Sequence, residues 1–250
     1  MVIASKNSRA TDAAVDATLR QFITHSIHDS DFAAIRDVPW LGGTIKTVVD
    51  AGANRGQTIA TILAILPGAT IHSFEANPFF FSVLDKIRDL TGPQVHVYHN
   101  GLGDRDAVLP FYIPSVNGEE FLEEATLCLD IFDKPWVKSR YEARGTIELK
   151  TIDVRIRKGD DFALAPDLLK VDVEGFELAV LTGFARSIGL HQPVLLVENS
   201  DYENVTAYLA PFGYRAYQYF AASKQLRLSE SASVNTFYLP QRLQQFVAVS

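Results

Sequence analysis

The sequence of 250 residues has almost no cysteine and no long hydrophobic run, and each of these absences excludes a class of protein. Cys128 is the only cysteine, so the chain forms no internal disulfide and has no cysteine-based zinc motif. The longest apolar stretch, residues 58–71, is interrupted by threonines and by Pro67, and it is too short to span a bilayer. The N-terminus lacks the apolar segment of a secretory signal, so we expect a cytoplasmic protein without membrane insertion.

The excess of acidic over basic residues indicates which classes of partner to expect. The chain has 23 Lys and Arg against 30 Asp and Glu, a formal net charge of −7 at pH 7. Nucleic acids and anionic membranes require a basic face, so we expect neither as a partner. The sequence has no repeat or low-complexity linker. We predict one domain over residues 46–250, preceded by an N-terminal helical extension over residues 1–45 with an amphipathic helix near residues 11–27.

Short β-rich runs alternate with helical patterns from residue 46 onward, which predicts a parallel α/β sheet with right-handed crossovers. The expected strands are residues 47–51, 70–75, 95–98, 168–173 and 193–198. Residues 212–220 and 234–239 are expected to form a final antiparallel pair, because only a short segment joins them. Two further candidate strands, residues 107–113 and 146–151, flank an acidic loop. We interpret the glutamates of that loop, which are Glu119, Glu120, Glu123 and Glu124, as a solvated face.

A glycine-containing loop after the first strand indicates a ligand site. Asp50 ends this strand, and Gly52 and Gly56 follow it. Ligands of open α/β sheets bind at the carboxyl ends of the strands, where Gly52 would let the backbone approach closely and Gly56 would permit helix–strand contact. Glu75 ends the second strand and is suited to bind two ribose hydroxyls. A glycine loop followed by an acid about 20 residues later is typical of nucleoside binding.

The charge of Asp50 favours one kind of nucleoside cofactor. Dinucleotide sites place a pyrophosphate at a helix N-terminus after the pattern GxGxxG, and an acid before the first glycine would repel it. S-adenosylmethionine has an ammonium and a sulfonium but no phosphate, so the loop favours a methyl donor over a nicotinamide. The alternative is an ordinary strand–turn–helix connection without a ligand.

A second group of charges follows the fourth strand. Alternate side chains of a strand share one face, so Lys170, Asp172 and Glu174 point the same way. An unpaired buried ion costs on the order of several kcal/mol, so we expect Asp172 and Glu174 at the edge where the glycine loop lies. The alternative is a structural Lys170–Asp172 ion pair, with Glu177 favouring the N-terminus of the next helix.

Three blocks, VDAGANRGQ, SFEANP and LKVDVEGFE, together resemble the signature of FkbM-type S-adenosylmethionine-dependent methyltransferases. The resemblance extends from about Thr47 to Leu239. It implies a class I methyltransferase fold: a Rossmann-like, doubly wound, mostly parallel seven-stranded sheet with a final antiparallel strand. It also implies O-methylation of a hydroxyl on a small molecule or sugar. Ala76 departs from the family pattern, in which an extra acid or a Glu-Pro pair is common at this point.

The resemblance also implies a set of site residues. The cofactor S-adenosyl-L-methionine would contact Asp50, Gly52, Asn54, Gly56, Gln57, Glu75, Ala76, Asn100, Gly101, Leu102 and Asp172. The catalytic group would be Lys170, Asp172 and Glu174. We hypothesise that Asp172, or else Glu174, takes the proton of the acceptor hydroxyl while Lys170 tunes the carboxylate.

Several alternatives stay open at this stage. Glu198 ends the fifth strand and would either hydrogen-bond the acceptor or cap the next helix. Neither the pair of Asp172 and Glu174 nor any Asp/His set has metal-ligand spacing, so we expect no metal. A catalytically inactive S-adenosylmethionine-binding module and an NAD-dependent oxidoreductase are the rival functions. The sequence does not identify the acceptor, which we expect residues 114–145 and the N-terminal helix to select. It also does not show whether the chain forms a homo-oligomer.

Overall fold

A computed structural model describes residues 30–142, 144–231 and 233–247 of the chain, and the helix predicted near residues 11–27 lies outside them. The strands are β1 Thr47–Ala51, β2 Thr70–Phe74, β3 Val95–Tyr98, β4 Gly101–Gly103, β5 Ala107–Val116, β6 Glu119–Glu120, β7 Ile147–Lys158, β8 Leu168–Val171, β9 Val194–Glu198, β10 Arg215–Phe220, β11 Gln225–Leu228 and β12 Asn235–Leu239. The helices are α1 Ala33–Asp37, α2 Pro39–Gly42, α3 Gln57–Ile65, α4 Phe81–Thr91, α5 Pro135–Glu142, α6 Glu177–Gly183, α7 Ala185–His191, α8 Tyr202–Leu209 and α9 Gln241–Gln244. Within the described residues, no helix is both long and apolar enough to cross a bilayer.

The larger sheet contains the predicted parallel strands and one strand more than expected. Its order is β11-β10-β12-β9-β8-β1-β2-β3. Strands β3, β2, β1, β8 and β9 are parallel to one another, and β12 runs antiparallel to both β9 and β10. The prediction of seven strands is wrong, because β11 pairs antiparallel with β10 as an eighth strand at the edge. Only Leu226 of β11 is buried, so its hydrophobic signal in the sequence is weak.

A second sheet, of four strands in the order β4-β7-β5-β6, was not expected from the sequence. The two candidate strands of the middle region are longer than predicted: β5 and β7 pair over ten positions, from Ala107 opposite Ile156 to Val116 opposite Ile147. This sheet has its own apolar cluster, which includes Phe111. The second sheet is formed by the segment that follows β3 and precedes β8 in the chain, and it lies over the carboxyl edge of the larger sheet.

The core lies on both faces of the larger sheet. Strands β1, β8 and β9 are buried almost throughout, as expected for central strands covered on two sides. Ile35 and Leu41, from α1 and α2, are buried in the apolar cluster of one face. The described part of the predicted N-terminal extension therefore packs against the sheet, and the domain boundary at residue 45 stays a prediction.

We expect the central strand β8 to control the stability of the domain. Leu169 is completely buried, so Leu169→Ala should lower the free energy of unfolding by about 2–5 kcal/mol through the lost contacts and the cavity that remains. Leu190 has an exposed fraction of 67%, and Leu190→Ala should change this free energy by less than about 0.5 kcal/mol. Urea unfolding of the two variants measures the difference, and equal losses would contradict this description of the core.

Candidate functional site

A cavity of about 290 Å³ lies at the carboxyl ends of β1, β2, β8 and β9, beneath the second sheet. The glycine loop and the end of β2 supply part of its wall, as the sequence predicts: Gly52, Asn54, Gln57, Glu75 and Ala76 all line it. Each parallel strand ends at this edge, so residues that are distant in sequence meet in one place.

Of the remaining predicted site residues, four line the cavity and four do not. Gly101, Leu102, Asp172 and Glu174 also line the cavity. Asn100 is not among the lining residues, because its side chain turns back and donates to the carbonyl oxygen of Gly101, with an N···O distance of 2.9 Å. The other three predicted residues, Asp50, Gly56 and Lys170, lie behind the wall and act on it through their neighbours.

Lys170 is a buried cation that joins two strand ends. Its Nζ lies 3.0 Å from Asp172 Oδ2 and 3.5 Å from Asp50 Oδ1, and it donates to the carbonyl oxygen of Gly52 at 3.2 Å. Burial lowers the pKa of Lys170, but the carboxylates of Asp172 and Asp50 raise it more, and the net pKa lies above the usual lysine range. The Lys170–Asp172 ion pair of the alternative interpretation therefore exists, and Asp172 also lines the cavity.

Asp50 is completely buried at the end of β1. Its Oδ2 accepts a hydrogen bond from Ser73 Oγ at 3.0 Å, and its Oδ1 lies 3.5 Å from Lys170 Nζ. Burial raises the pKa of Asp50, and the charge of Lys170 and the bond from Ser73 only partly oppose this effect. Asp50 contacts Lys170, and Lys170 binds the carbonyl oxygen of Gly52. Asp50 therefore supports the glycine loop indirectly.

The two glycines of the loop permit close contacts that no other residue would allow. Gly52 has a φ of +88°, and a Cβ atom there would lie 1.8 Å from the carbonyl oxygen of Asp172. Gly56 has a φ of +87°, and its Cβ would lie 2.5 Å from Cδ1 of Ile87 on α4. Gly52 thus lets the loops after β1 and β8 touch. The expectation that Gly56 permits helix–strand contact is wrong, because its close neighbour belongs to a helix.

Glu75 is held by the backbone and faces the cavity. Its Oε2 accepts from the amide of Asn54 and its Oε1 from the amide of Asn77, both at 2.6 Å. Burial raises the pKa of Glu75 to about 7 despite these two bonds. Asn77 caps the following turn, because its Oδ1 accepts from the amide of Phe79. The carboxylate thus has a fixed orientation, and each oxygen keeps a lone pair for a ligand.

Three carboxylates meet at the other end of the cavity. Oxygen atoms of Asp172, Glu174 and Glu198 all lie within 4.8 Å of one another. Burial and the charge of Asp172 raise the pKa of Glu174 to about 7 and raise the pKa of Glu198 still further. The sequence places Glu198 at the same edge as Asp172 and Glu174, but it does not indicate how closely the three carboxylates approach one another. Oxygen ligands of this kind suit a divalent cation as well as a hydroxylated ligand, and the absence of a metal stays a prediction.

The acidic loop of the second sheet is only partly a solvated face. Glu119, Glu120 and Glu123 are exposed, as expected, but Glu123 and Glu124 also line the cavity. Glu123 pairs with Arg55 of the glycine loop. Glu124 contacts Arg140 at 3.2 Å and accepts a hydrogen bond from the Tyr141 hydroxyl. No pattern in the sequence reveals these contacts, since they join elements far apart in the chain.

Comparison with known proteins identifies the family from the sequence. The family model of the methyltransferase FkbM domain matches residues 50–216. Methyltransferase 1 of Beauveria bassiana (strain ARSEF 2860) is 34% identical over 148 residues, covering 54% of this chain and 57% of its own length. Methyltransferase sdnD of Sordaria araneosa is 34% identical over 155 residues, covering 54% of this chain and 59% of its own length. The chain thus spans somewhat more than half the length of these two relatives.

A solved structure has a similar fold. Methyltransferase FkbM from Methylobacillus flagellatus KT aligns with a TM-score of 0.51 and 15% identity, covering 92% of this chain and 60% of that one. At this identity the likeness concerns the fold alone. The family model covers more than half of the chain and includes the glycine loop, Glu75 and the charged segment after β8. The chain therefore belongs to the FkbM family of methyltransferases.

Proposed function

We propose that this protein transfers a methyl group from S-adenosylmethionine to a hydroxyl of a small molecule or sugar. The charge of the cavity carries the proposal. Six acidic residues line it, Glu75, Glu123, Glu124, Asp172, Glu174 and Glu198, of which Glu198 keeps its proton at pH 7, and no described lining residue is Lys, Arg or His. Such a wall attracts the ammonium and sulfonium of this donor and repels the pyrophosphate of a dinucleotide.

The residues near β1 and β2 fit the donor. Glu75 presents a fixed carboxylate to the ribose hydroxyls, and the buried Oδ1 of Asn54 has no partner within the described protein and so can accept from a ligand. Gly101, Leu102 and Phe111 offer small and apolar surfaces for the adenine ring. S-adenosylmethionine, when bound, supplies an electrophilic methyl group. The chain then has to position the acceptor and remove its proton.

Asp172 is our preferred proton acceptor. It lines the cavity, its side chain has an exposed fraction of 37%, and the Lys170 ammonium at 3.0 Å orients it and balances its charge. The acceptor hydroxyl would give its proton to a carboxylate oxygen of Asp172 while the hydroxyl oxygen attacks the methyl carbon. Holding the reacting groups in line can supply roughly 7–11 kcal/mol of the barrier reduction. Glu174 is the second candidate for this role.

Ligand stabilisation separates the proposed donor from the rival cofactor. A ligand that binds only the folded state raises the melting temperature. We expect S-adenosylhomocysteine to raise that of the full chain and NAD to leave it unchanged, as measured by differential scanning fluorimetry. Stabilisation by NAD alone would contradict the proposal and favour the oxidoreductase.

The pH dependence of binding tests the role of Glu75. A carboxylate that accepts bonds from two hydroxyls must be ionised, and burial raises the pKa of Glu75 to about 7. The affinity for S-adenosylhomocysteine should therefore fall about tenfold per pH unit below pH 7 and level off above it. Glu75→Gln should have a weaker dependence, since Glu174 in the same cavity also has a pKa of about 7, and it should bind roughly 10- to 100-fold more weakly at pH 8. Calorimetry measures both effects, with the exposed Glu119→Gln as control; an equal slope in Glu75→Gln would exclude the assignment.

Labelled methyl transfer tests the reaction itself. The enzyme is incubated with a cell extract and deuteromethyl-labelled donor, and mass spectrometry identifies the hydroxylated compound that gains the label. On that acceptor, Asp172→Asn should lower turnover roughly 10²- to 10⁴-fold and keep the affinity for S-adenosylhomocysteine. The exposed Asp153→Asn is the control. If S-adenosylhomocysteine binds but no compound is labelled, the inactive binding module is favoured; unchanged turnover in Asp172→Asn would remove that residue from the mechanism.

A further inference from the structure

A buried carboxylate outside the cavity connects the two loops that carry its acidic groups. Glu177, the first residue of α6, has an exposed fraction of only 1%. Its Oε1 accepts a hydrogen bond from the amide of Gly175 at 2.8 Å, and its Oε2 accepts one from Ser200 Oγ at 2.5 Å. Gly175 directly follows Glu174, and Ser200 lies two residues after Glu198. One side chain therefore holds the loop after β8 and the loop after β9.

We propose that Glu177 is a positioning residue, which fixes the carboxylates of Glu174 and Glu198 relative to each other. The proposal rests on the proposed function, because it concerns the acidic end of the same cavity. Glu177 itself is not among the lining residues, so it acts through its two hydrogen-bond partners.

The loop after β8 needs such support because its backbone conformation is unfavourable. Glu174 has a φ of +52° and Gly175 a φ of +99°, and residues with a side chain rarely adopt the left-handed region. Thr126, a completely buried residue of the second sheet region, donates from Oγ1 to the carbonyl oxygen of Glu174. The peptide bond between Glu174 and Gly175 is thus bound on both sides, by Thr126 at its oxygen and by Glu177 at its nitrogen.

Glu177 lies in the first turn of α6, as the alternative interpretation predicts, but stabilisation of a helix N-terminus alone does not explain this geometry. An acid in the first turn of a helix is usually exposed, so that water reduces the cost of keeping it ionised. Glu177 is buried instead, at a cost that its two hydrogen bonds offset. Burial raises the pKa of Glu177, and the bonds from Ser200 and Gly175 oppose this rise. The bond to Ser200 reaches a different strand's loop, which helix stabilisation alone does not require.

Glu177 also acts on Glu174 through its charge. Burial is the largest cause of the raised pKa of Glu174, followed by the charges of Asp172 and Glu177. The charged groups around Glu174 are Asp172, Glu177, Glu124, Arg140 and Glu198. Neutralising Glu177 while keeping its shape should therefore lower the pKa of Glu174.

Two variants of Glu177 in the full chain separate its geometry from its charge. Glu177→Gln keeps an oxygen for the Gly175 amide and an NH₂ group that donates to Ser200, so it should keep most of the turnover and shift the Glu174 titration to lower pH. Glu177→Ala loses both bonds, and displacement of the carboxylates should lower turnover by roughly 10²-fold. The affinity for S-adenosylhomocysteine should be kept in both.

The readouts do not all depend on turnover. NMR titration of ¹³C-carboxyl-labelled glutamate, assigned with Glu174→Gln, follows Glu174 directly, and hydrogen exchange of the Gly175 amide reports the bond to Glu177. Exchange should accelerate in Glu177→Ala and stay slow in Glu177→Gln. If the wild type labels no acceptor, the proposed function fails, while these two measurements still decide whether Glu177 positions the loop.

Milder variants keep the test decisive if Glu177→Ala does not fold. Ser200→Ala removes one of the two bonds and should lower turnover. Ser187→Ala is the matched control, because Ser187 Oγ donates to Asp160 Oδ1 at 2.7 Å away from the cavity. The proposal is wrong, and Glu177 is purely structural, if three results coincide. Ser200→Ala and Ser187→Ala lose similar stability, turnover is unchanged in Ser200→Ala, and the Glu174 titration is unchanged in Glu177→Gln.

Discussion

The buried ammonium of Lys170 is the interaction on which the site depends. It stands on a central strand between two carboxylates, one at the end of β1 and one just beyond β8, and it binds the carbonyl oxygen of the glycine loop. Without this cation, Asp50 would be an uncompensated charge in the core, and the carboxyl edge would carry mutually repelling acids. A single side chain thus makes it possible to bring so much negative charge to one edge.

The wall of the cavity comes from two sheets with different roles. The larger sheet supplies the strand ends and their carboxylates, in positions that hydrogen bonds and close backbone contacts determine. The second sheet supplies Phe111 and the segment from Leu122 to Leu127, whose glutamates are paired with Arg55 and Arg140. The region that we expect to select the acceptor is attached to the larger sheet by the exposed Arg55–Glu123 ion pair, which is weak, and by the bond from the buried Thr126 to the carbonyl oxygen of Glu174.

The sequence predicted the elements whose signals are local. The parallel strands, the glycine loop, Glu75 and the charges after β8 lie at or close to their expected positions, because strand alternation and acid-to-glycine spacing are properties of short segments. Contacts between distant segments were missed. The pairing of β5 with β7, the approach of Glu198 to Asp172 and the presence of Glu124 in the wall depend on topology, and no local pattern encodes them. The edge strand β11 was missed because only one of its residues is buried.

The wide separation of the lining residues along the chain has a consequence for biosynthesis. The cavity is lined by residues from Gly52 to Glu198, and the bond between Lys170 and Gly52 joins positions 118 residues apart. Contacts of such long range form slowly, because closing the intervening loop has an entropic cost. A nascent chain on the ribosome therefore has no complete pocket until β9 has emerged, and until then it folds without any help from a bound ligand.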